Sequence, residues 1–236
     1  MSFDTSQPQK AEKLASKIKV RFNNIDLLKE ALTHRSYLNE NRNYPLSHNE
    51  RLEFLGDAVL ELVVTEYLFK KYNRPEGEMT AWRAALVNGE MLAKVGKKLK
   101  LENFLKMSKG EAKDTGRARQ YLLANAMEAI IGALYLDQGY EEAKRFIKKY
   151  IIVNLKEILE KKLYLDPKSY FQEKAQEITK ITPHYELLEE SGPDHDKHFV
   201  VGAYLDRKLI AKGIGISKQA AQRAAARAAL EKKKWL

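Results

Sequence analysis

The sequence predicts an all-α N-terminal domain followed by a small α+β domain with the element order α-β-β-β-α. Two observations predict this fold class. From about residue 10 to residue 160, apolar residues recur with helical spacing, and no stretch alternates like a strand before about residue 184. Beyond that point, three short runs rich in β-forming residues precede an alanine-rich helix.

The first domain is predicted to contain one long helix and several shorter ones. The main helical runs cover residues 49–72, 78–98, 119–138 and 140–161. Most glycines and prolines fall between these runs, as at Pro75, Gly110 and Gly139. Residues 109–120 (KGEAKDTGRARQ) are predicted to form a flexible basic loop between helices.

The second domain begins with a helix-start signal. Asp166-Pro167 suits an N-cap and a first helical position, so a helix is expected to run to about residue 180. Pro183 ends the helical pattern, and the runs HYELLEESG, HFVVGAYLD and KLIAKGIGIS are predicted strands. Ser217 is the predicted cap of the last helix. The expected bounds are 10–160 for the first domain, 161–165 for a linker and 166–236 for the second domain.

Composition excludes several kinds of chemistry. The 236 residues include no cysteine, which rules out disulfides, thiol nucleophiles and cysteine-bound zinc. No run approaches the roughly 18 consecutive apolar residues of a membrane span, so no membrane association is expected and the predicted compartment is the cytoplasm. The formal charge is +10, and residues 207–236 carry nine Lys or Arg against Glu231 alone. This distribution suits either a polyanion-binding edge or a solvated basic helix.

A stripe of carboxylates runs along the long helix. Glu50, Glu53, Asp57 and Glu61 follow the spacing i, i+3, i+7, i+11, which places them on one face of a helix that is otherwise apolar. Carboxylates one turn apart repel each other, and apolar surroundings increase the cost of their charge. The stripe is therefore either a solvated face or a site for a divalent cation or a partner.

A second helix repeats the arrangement. In LLANAMEAIIGALYLDQG, Asn125 and Glu128 lie one turn apart among apolar residues. If the two helices pack with these faces opposed, Glu53, Asp57, Asn125 and Glu128 would converge in an oxygen-lined site. Oxygen ligands without histidine or cysteine suit Mg²⁺, with Mn²⁺ as a substitute, better than zinc. Such an ion could support phosphodiester hydrolysis.

Several motifs together resemble the ribonuclease III family. NERLEFLGDAVL is similar to the family signature, and LLANAMEAIIGALYLD resembles its second catalytic helix. ALTHRSYLNE, PEGEMTAWRAALVNGEMLA and the C-terminal module follow in the family order, so the resemblance covers nearly the whole chain. The family usually has Asp where this chain has Asn125.

The resemblance implies an activity and a set of residues. Glu53, Asp57 and Glu128 match the metal-site carboxylates, with Asp57 and Glu128 catalytic, and Asn125 takes the fourth ligand position. Glu50 and Glu76 match accessory acidic positions. The implied enzyme is a Mg²⁺-dependent homodimer that cuts double-stranded RNA during rRNA and mRNA processing. Its products would carry 5′-phosphates, 3′-hydroxyls and short 3′ overhangs.

The same resemblance makes residues 166–236 a double-stranded RNA-binding domain, a type that recognises the shape of the A-form minor groove and the flanking phosphates. The first helix, the loop between the first two strands and the start of the last helix are the three expected contact regions. The candidate residues are Ser169, Gln172, Glu173, His195, Lys218, Gln219, Gln222 and Arg223. Only Lys218 stands where the family shows a run of basic residues.

Two other functions remain open from the sequence. The chain could be a double-stranded RNA-binding protein with an impaired nuclease site, because the amide of Asn125 cannot carry negative charge. It could also be a helical interaction module whose acidic stripe is only surface, although that interpretation leaves the C-terminal domain unexplained.

Overall fold

The computed structural model describes residues 8–113, 115–193 and 197–235. The chain divides between Ile158 and Leu159 into two compact units. None of the helices in the described ranges has both the length and the apolar character needed to span a bilayer.

Helices are the main elements of the described residues as far as residue 160. They are α1 (Pro8–Ile18), α2 (Ile25–Ala31), α3 (Arg35–Glu40), α4 (Glu50–Lys71), α5 (Glu76–Val87), α6 (Gly89–Lys98), α7 (Lys109–Lys113), α8 (Gly116–Gln138), α9 (Tyr140–Tyr150) and α10 (Leu155–Glu160). Single 3₁₀ turns occur at Leu101–Asn103 and Ile152–Asn154.

The centre of the first unit is the pair α4 and α8, which pack against each other along their length. Leu60 and Val64 of α4 and Met127 and Ile131 of α8 have no exposed surface. Both helices are apolar around most of their circumference, so neighbouring helices can cover them on several sides.

The predicted single helix over residues 78–98 is wrong, because Asn88 divides it into α5 and α6. The Asn88 backbone is extended (φ −68°, ψ 156°), and its side-chain oxygen accepts a hydrogen bond from the Met91 N–H at 2.9 Å. This is an N-cap, and it begins a new helix. Apolar spacing did not reveal the break because both segments pack into the same core.

The prediction of one helix over residues 140–161 is also wrong. The helix α9 ends at Tyr150, and a 3₁₀ turn separates it from α10. The buried amide of Asn154 donates to the carbonyls of Tyr150 (3.0 Å) and Ile151 (2.9 Å). Asparagine competes in this way with the regular hydrogen bonds of a helix.

The flexible loop predicted over residues 109–120 is largely helical instead, since α7 covers Lys109–Lys113 and α8 begins at Gly116. The Arg119 guanidinium donates to the Ala112 carbonyl at 2.8 Å and lies 3.2 Å from the Met107 sulfur. These contacts fix α7 against the start of α8.

The second unit has the predicted α-β-β-β-α order, and the predicted fold class is confirmed. Its elements are α11 (Pro167–Thr179), β1 (His184–Ser191), β2 (His198–Leu205), β3 (Lys208–Gly215) and α12 (Lys218–Lys233). The strands form an antiparallel sheet in the order β1-β2-β3, with Val201 opposite Leu187 and Gly213. Phe171, Val201 and Ala225 belong to the core that joins the sheet to the two helices.

Both predicted helix caps of this unit are confirmed. The Asp166 carboxylate accepts from the Ser169 N–H at 2.9 Å, and the Ser217 hydroxyl accepts from the Ala220 N–H at 3.1 Å. Each cap satisfies an N–H group that has no partner within its own helix.

Candidate active site

Two glycines inside the central helices bring the candidate catalytic residues together. A Cβ atom on Gly56 of α4 would lie 1.8 Å from the carbonyl oxygen of Glu128 on α8, and a Cβ on Gly132 would lie 2.2 Å from the carbonyl oxygen of Leu52. Any side chain at these positions would collide with the facing backbone. The helices therefore touch backbone to backbone within one turn of Glu53, Asp57 and Asn125.

The acidic stripe of α4 divides into two kinds of carboxylate. At its ends, Glu50 lies 3.5 Å from the Arg35 guanidinium, and Glu61 lies 2.9 Å from that of Arg83. The two middle residues, Glu53 and Asp57, act electrostatically on Glu128 across the helix contact. The ends of the stripe are thus balanced by arginines, while the middle faces further oxygen-bearing groups.

Asn125 connects the two helices by a side-chain hydrogen bond to Glu53. Partial burial raises the pKa of Glu53, the charges of Glu50 and Asp57 raise it further, and the Asn125 hydrogen bond opposes them. Because a carboxylate only accepts hydrogen bonds, the Asn125 amide N–H is the donor. This amide orients Glu53, but it brings no positive charge to offset the surrounding carboxylates.

The carboxyl group of Glu128 has a strongly raised pKa. Burial raises its pKa to about 8, and the negative charges of Asp57 and Glu53 add to the rise. A glutamate side chain in this position is therefore mostly protonated at neutral pH when no cation is near. Strongly shifted carboxyl groups in a cleft are typical of catalytic and metal-binding sites.

The four side chains suit a hard divalent cation by donor type and by charge. They offer carboxylate and amide oxygens, and a dication would relieve the repulsion that shifts Glu53 and Glu128. Within the described ranges, no three carboxylate or histidine side chains are placed so that they could hold a metal ion as they stand, so the side chains of this cluster would have to turn to bind one. To join a coordination shell, Asn125 would turn its amide so that Oδ1, not the N–H, faces the ion.

In the second unit, four of the eight candidate RNA-contact residues gather at one cleft. Ser169, Gln172, Gln219 and Arg223 line a cavity of about 290 Å³ where the N-termini of α11 and α12 meet the start of β1. Helix N-termini present unpaired N–H groups and a positive dipole end, which suits phosphate. The sequence placed these residues on separate helices, and packing brings them to one surface.

Several groups around this cleft already have intramolecular partners. The Arg223 guanidinium lies 3.6 Å from the Asp166 carboxylate, and the Ser169 hydroxyl donates to the same carboxylate at 3.0 Å. The Lys168 ammonium donates to Gln222 at 2.6 Å, so Gln222 is bound across the two helices. Bound RNA would compete with these contacts.

Comparison with protein families identifies both units. A model described as Ribonuclease-III-like matches residues 24–155, and a model of the double-stranded RNA binding motif matches residues 167–233. The chain belongs to the ribonuclease III family.

Individual relatives match over most of their length. A protein named Ribonuclease 3 from Desulforamulus reducens is 42% identical over 228 residues, which cover 96% of this chain and 93% of that protein. Ribonuclease 3 from Streptococcus gordonii is 44% identical over 212 residues, covering 89% and 91% respectively. The chain is therefore an endoribonuclease, and its second unit binds double-stranded RNA.

A solved structure supports the assignment of the first unit. The nuclease domain of ribonuclease III from Campylobacter jejuni matches with a TM-score of 0.55 and 44% sequence identity. The match covers 61% of this chain and 96% of that domain. The shared part is thus the helical unit that contains Glu53, Asp57, Asn125 and Glu128.

The remaining candidate residues of this ribonuclease III have separate positions. Glu76 begins α5 and accepts from the Thr80 hydroxyl at 2.8 Å, beside a cavity of about 260 Å³ lined by residues of α4 and α5. Glu173 is exposed on α11, and the Lys218 ammonium lies 5.9 Å from the centre of the Phe199 ring. His195 lies outside the described residues.

Sequence reasoning missed three residues that shape the sites of this family member. Gly56 and Gly132 set the spacing of α4 and α8, which carry the candidate catalytic residues, and a glycine inside an apolar helix was the available signal. Lys168 joins α11 to α12 through Gln222 and lies over the Tyr185 ring, 5.1 Å from its centre. No spacing pattern in the sequence indicated that contact.

Proposed function

We propose that this ribonuclease III hydrolyses both strands of double-stranded RNA as a homodimer and requires Mg²⁺, with Mn²⁺ as a substitute. The proposed products carry 5′-phosphates, 3′-hydroxyls and short 3′ overhangs. Structured precursors of rRNA and mRNA are the proposed substrates, because such transcripts contain long duplexes. The proposed compartment is the cytoplasm.

The observation that carries the proposal is the cluster of Glu53, Asp57, Asn125 and Glu128 at the close contact of α4 and α8. The backbone contact at Gly56 leaves these side chains little freedom to separate. Oxygen ligands that the backbone already brings near one another need less reorganisation to bind a metal ion and to position a phosphodiester than ligands on mobile segments.

A Mg²⁺ ion held there would polarise the phosphoryl oxygen and lower the pKa of a bound water molecule. Glu128 must lose its proton before it can act as a ligand or accept a proton from water. Glu53 is oriented by the Asn125 amide, and Asp57 adds negative charge beside both glutamates. Asp57 and Glu128 are the proposed catalytic residues, with Glu53 and Asn125 completing the ligand set.

Asn125 also defines the alternative function. A neutral amide contributes one negative charge fewer than aspartate, so the site should bind Mg²⁺ more weakly than a site with four carboxylates. If the site had no affinity for Mg²⁺ at all, the chain would bind double-stranded RNA without cutting it. We propose retained activity with an increased metal requirement, because the three carboxylates and the helix contact are intact.

The exposed apolar side chains of α4 support the homodimer. Phe54, Leu62 and Phe69 are 82%, 58% and 75% exposed, and their spacing places them within one third of the helix circumference. Large apolar groups on one face of a helix are typical of a subunit interface. The related nuclease domain from Campylobacter jejuni also has a region involved in dimer formation.

The second unit is proposed to bind the RNA duplex through two successive minor grooves and the phosphates between them. Ser169, Gln172 and Glu173 on α11 would contact one minor groove and His195 the next, while Lys218, Gln219, Gln222 and Arg223 face the phosphates between them. The proposed domain bounds are 10–160 and 166–236, with residues 161–165 as the linker. Glu50 and Glu76 are proposed accessory acidic residues.

The deciding experiment incubates the full chain with a long RNA duplex across separate Mg²⁺ and Mn²⁺ series. Parallel reactions contain the Asn125→Asp, Glu128→Gln and Glu90→Gln variants, the last as a control at an exposed glutamate of α6. We expect the native chain to cut at high Mg²⁺, Asn125→Asp to cut at lower Mg²⁺, and Glu128→Gln to bind the duplex without cutting.

Two results would contradict the proposal. If the native chain binds the duplex at every metal concentration and never cuts, while Asn125→Asp cuts, then the impaired-nuclease alternative is correct. If Glu128→Gln cuts as fast as Glu90→Gln, then the catalytic residues lie elsewhere.

A further inference from the structure

The first unit contains a basic cleft that the catalytic site does not use. Its volume is about 750 Å³, and it is bordered by α1, α3, α6, the 3₁₀ turn at Leu101–Asn103 and the start of α8. Ligand sites for small molecules usually measure roughly 300–1,000 Å³. The cleft is therefore large enough for a complete small ligand.

Positive charge dominates the lining. Lys10, Lys97, Lys106 and Arg119 face the cleft, and Glu102 is the one carboxylate among the described lining residues. These four cations come from three helices and a connecting segment that are distant in sequence. Packing has therefore concentrated a net charge of +3 around one concave surface, where it attracts anions.

Neutral groups hold the Lys106 ammonium in place, and these groups do not offset its positive charge. Its ammonium donates to the Tyr44 hydroxyl at 2.7 Å and lies 4.2 Å from the centre of the Tyr44 ring. Its backbone N–H donates to the Leu32 carbonyl at 2.8 Å, and its carbonyl accepts from the His34 N–H at 2.9 Å. A fixed cation next to a cavity loses little side-chain entropy when an anion binds.

The remaining lining is largely apolar. Leu105 and Met107 are partly buried, Leu123 is buried, and the half-buried ring of Tyr37 stands beside them. Arg119 is tied to Met107 and to the Ala112 carbonyl, which keeps its guanidinium at the edge of this surface. The cleft thus combines a cationic rim with a surface on which a planar ring could lie.

The cleft is separate from the catalytic cluster. Arg119 and Glu128 are nine positions apart on α8, which is two and a half helical turns, so their side chains leave the helix on opposite sides. Leu123 is likewise turned away from Glu128. A phosphodiester at the catalytic carboxylates therefore cannot also occupy the cleft.

We propose that this cleft binds a free nucleotide carrying two or three phosphates, with the phosphate chain against the cations and the base on the apolar surface. The excess of three positive charges matches a polyphosphate. The concave, partly apolar shape suits a small ligand better than duplex RNA, which presents its phosphates on a convex surface. This inference does not depend on the proposed cleavage chemistry.

The test is calorimetric titration of the full chain with ATP in the presence of a chelator, beside adenosine as the uncharged counterpart. Without divalent ions, the carboxylates of the catalytic site repel a triphosphate, so binding there does not contribute. The variant Lys10→Glu/Lys97→Glu changes the lining charge by four units. Lys13→Glu/Lys98→Glu makes the same change at exposed residues of the same two helices outside the cleft.

We expect ATP to bind one site per chain and adenosine not to bind. The Lys10→Glu/Lys97→Glu variant should weaken ATP binding at least about tenfold, and the control variant less than about threefold, because close charges act far more strongly than screened ones. Equal losses in both variants would mean that ATP responds only to net charge, and the proposal would fail. It would also fail if saturating RNA duplex displaced ATP stoichiometrically, since RNA would then be the occupant.

Discussion

Replacement of Gly56 by alanine tests whether the backbone contact of α4 and α8 organises the proposed catalytic site. The added methyl carbon would lie 1.8 Å from the carbonyl oxygen of Glu128, whereas an ordinary contact begins near 3.4 Å. The methyl carbon would thus be 1.6 Å too close to the carbonyl oxygen. Because this oxygen belongs to the backbone, it cannot rotate away as a side-chain atom can. The two helices must therefore move apart or slide.

The expected cost has two parts. Overpacking of a tight core contact lowers the free energy of unfolding by about 2 kcal/mol, which corresponds to a fall in Tm of about 4–8 °C for a domain of this size. In addition, Glu128 moves away from Glu53 and Asp57. A misplacement of about 1 Å in a catalytic group reduces the rate by about 100-fold.

The measurements are calorimetric unfolding and single-turnover cleavage of a short RNA duplex in Mg²⁺, at a temperature well below both transitions. Gly89→Ala is the matched control, because a methyl there would meet its nearest neighbour, the Ala124 Cβ, at an ordinary 3.8 Å. If Gly56→Ala unfolds at the same temperature as Gly89→Ala and cuts at the same rate, the close contact does not organise the site.

Four further outcomes are expected. Since burial and neighbouring carboxylates raise the pKa of Glu128 to about 8, the metal-free chain should lose stability as pH rises from about 4.5 through 8, and urea unfolding of Glu128→Gln should lack this loss. Glu66 shows the opposite sign: hydrogen bonds from Lys70, Tyr140 and Lys144 lower its pKa to about 2, so Glu66→Gln should be less stable than the native chain at pH 7, with the difference in urea midpoint shrinking as pH falls from about 4.5 towards 2. In thermal melts of the full chain, Asp166→Ala should lower the free energy of unfolding of the second unit by about 1 kcal/mol, because the N-cap is lost. Asp166→Asn should leave this free energy nearly unchanged, because asparagine can also cap the helix. Phe69→Lys should shift the chain towards monomer in light scattering; an unchanged mass would show that this face of α4 is not the interface.

The charges around the proposed catalytic cluster explain how the first unit holds several carboxylates in a small volume. Arg35 and Arg83 balance Glu50 and Glu61 at the ends of the stripe. Within the central group, the Asn125 amide stabilises the charged form of Glu53 by a hydrogen bond, while Glu128 avoids charge by keeping its proton. An aspartate at position 125 would add repulsion without a cation and attraction with one. Relative to aspartate, we therefore expect Asn125 to lower the affinity of the site for a metal ion and to stabilise the metal-free site.

Local signals in the sequence were sufficient for the fold class and for the helix caps. Asp166 and Ser217 cap helices through hydrogen bonds that span three residues, so their effect is encoded within a single turn. The breaks at Asn88 and Asn154 are also local, but the apolar spacing continues across them because the segments on either side face the same core. Periodicity therefore predicted helices there and missed their ends.

By itself, the sequence determined that Glu53 and Asp57 share one helix face and that Asn125 and Glu128 share another, because residues three or four positions apart in a helix point the same way. Only the tertiary structure decided that the two faces meet. The contact between Gly56 and Glu128 joins residues far apart in the chain, and it exists because glycine alone allows two backbones to approach so closely. The raised pKa of Glu128 has the same origin, since burial and neighbouring charge act through space and not along the sequence.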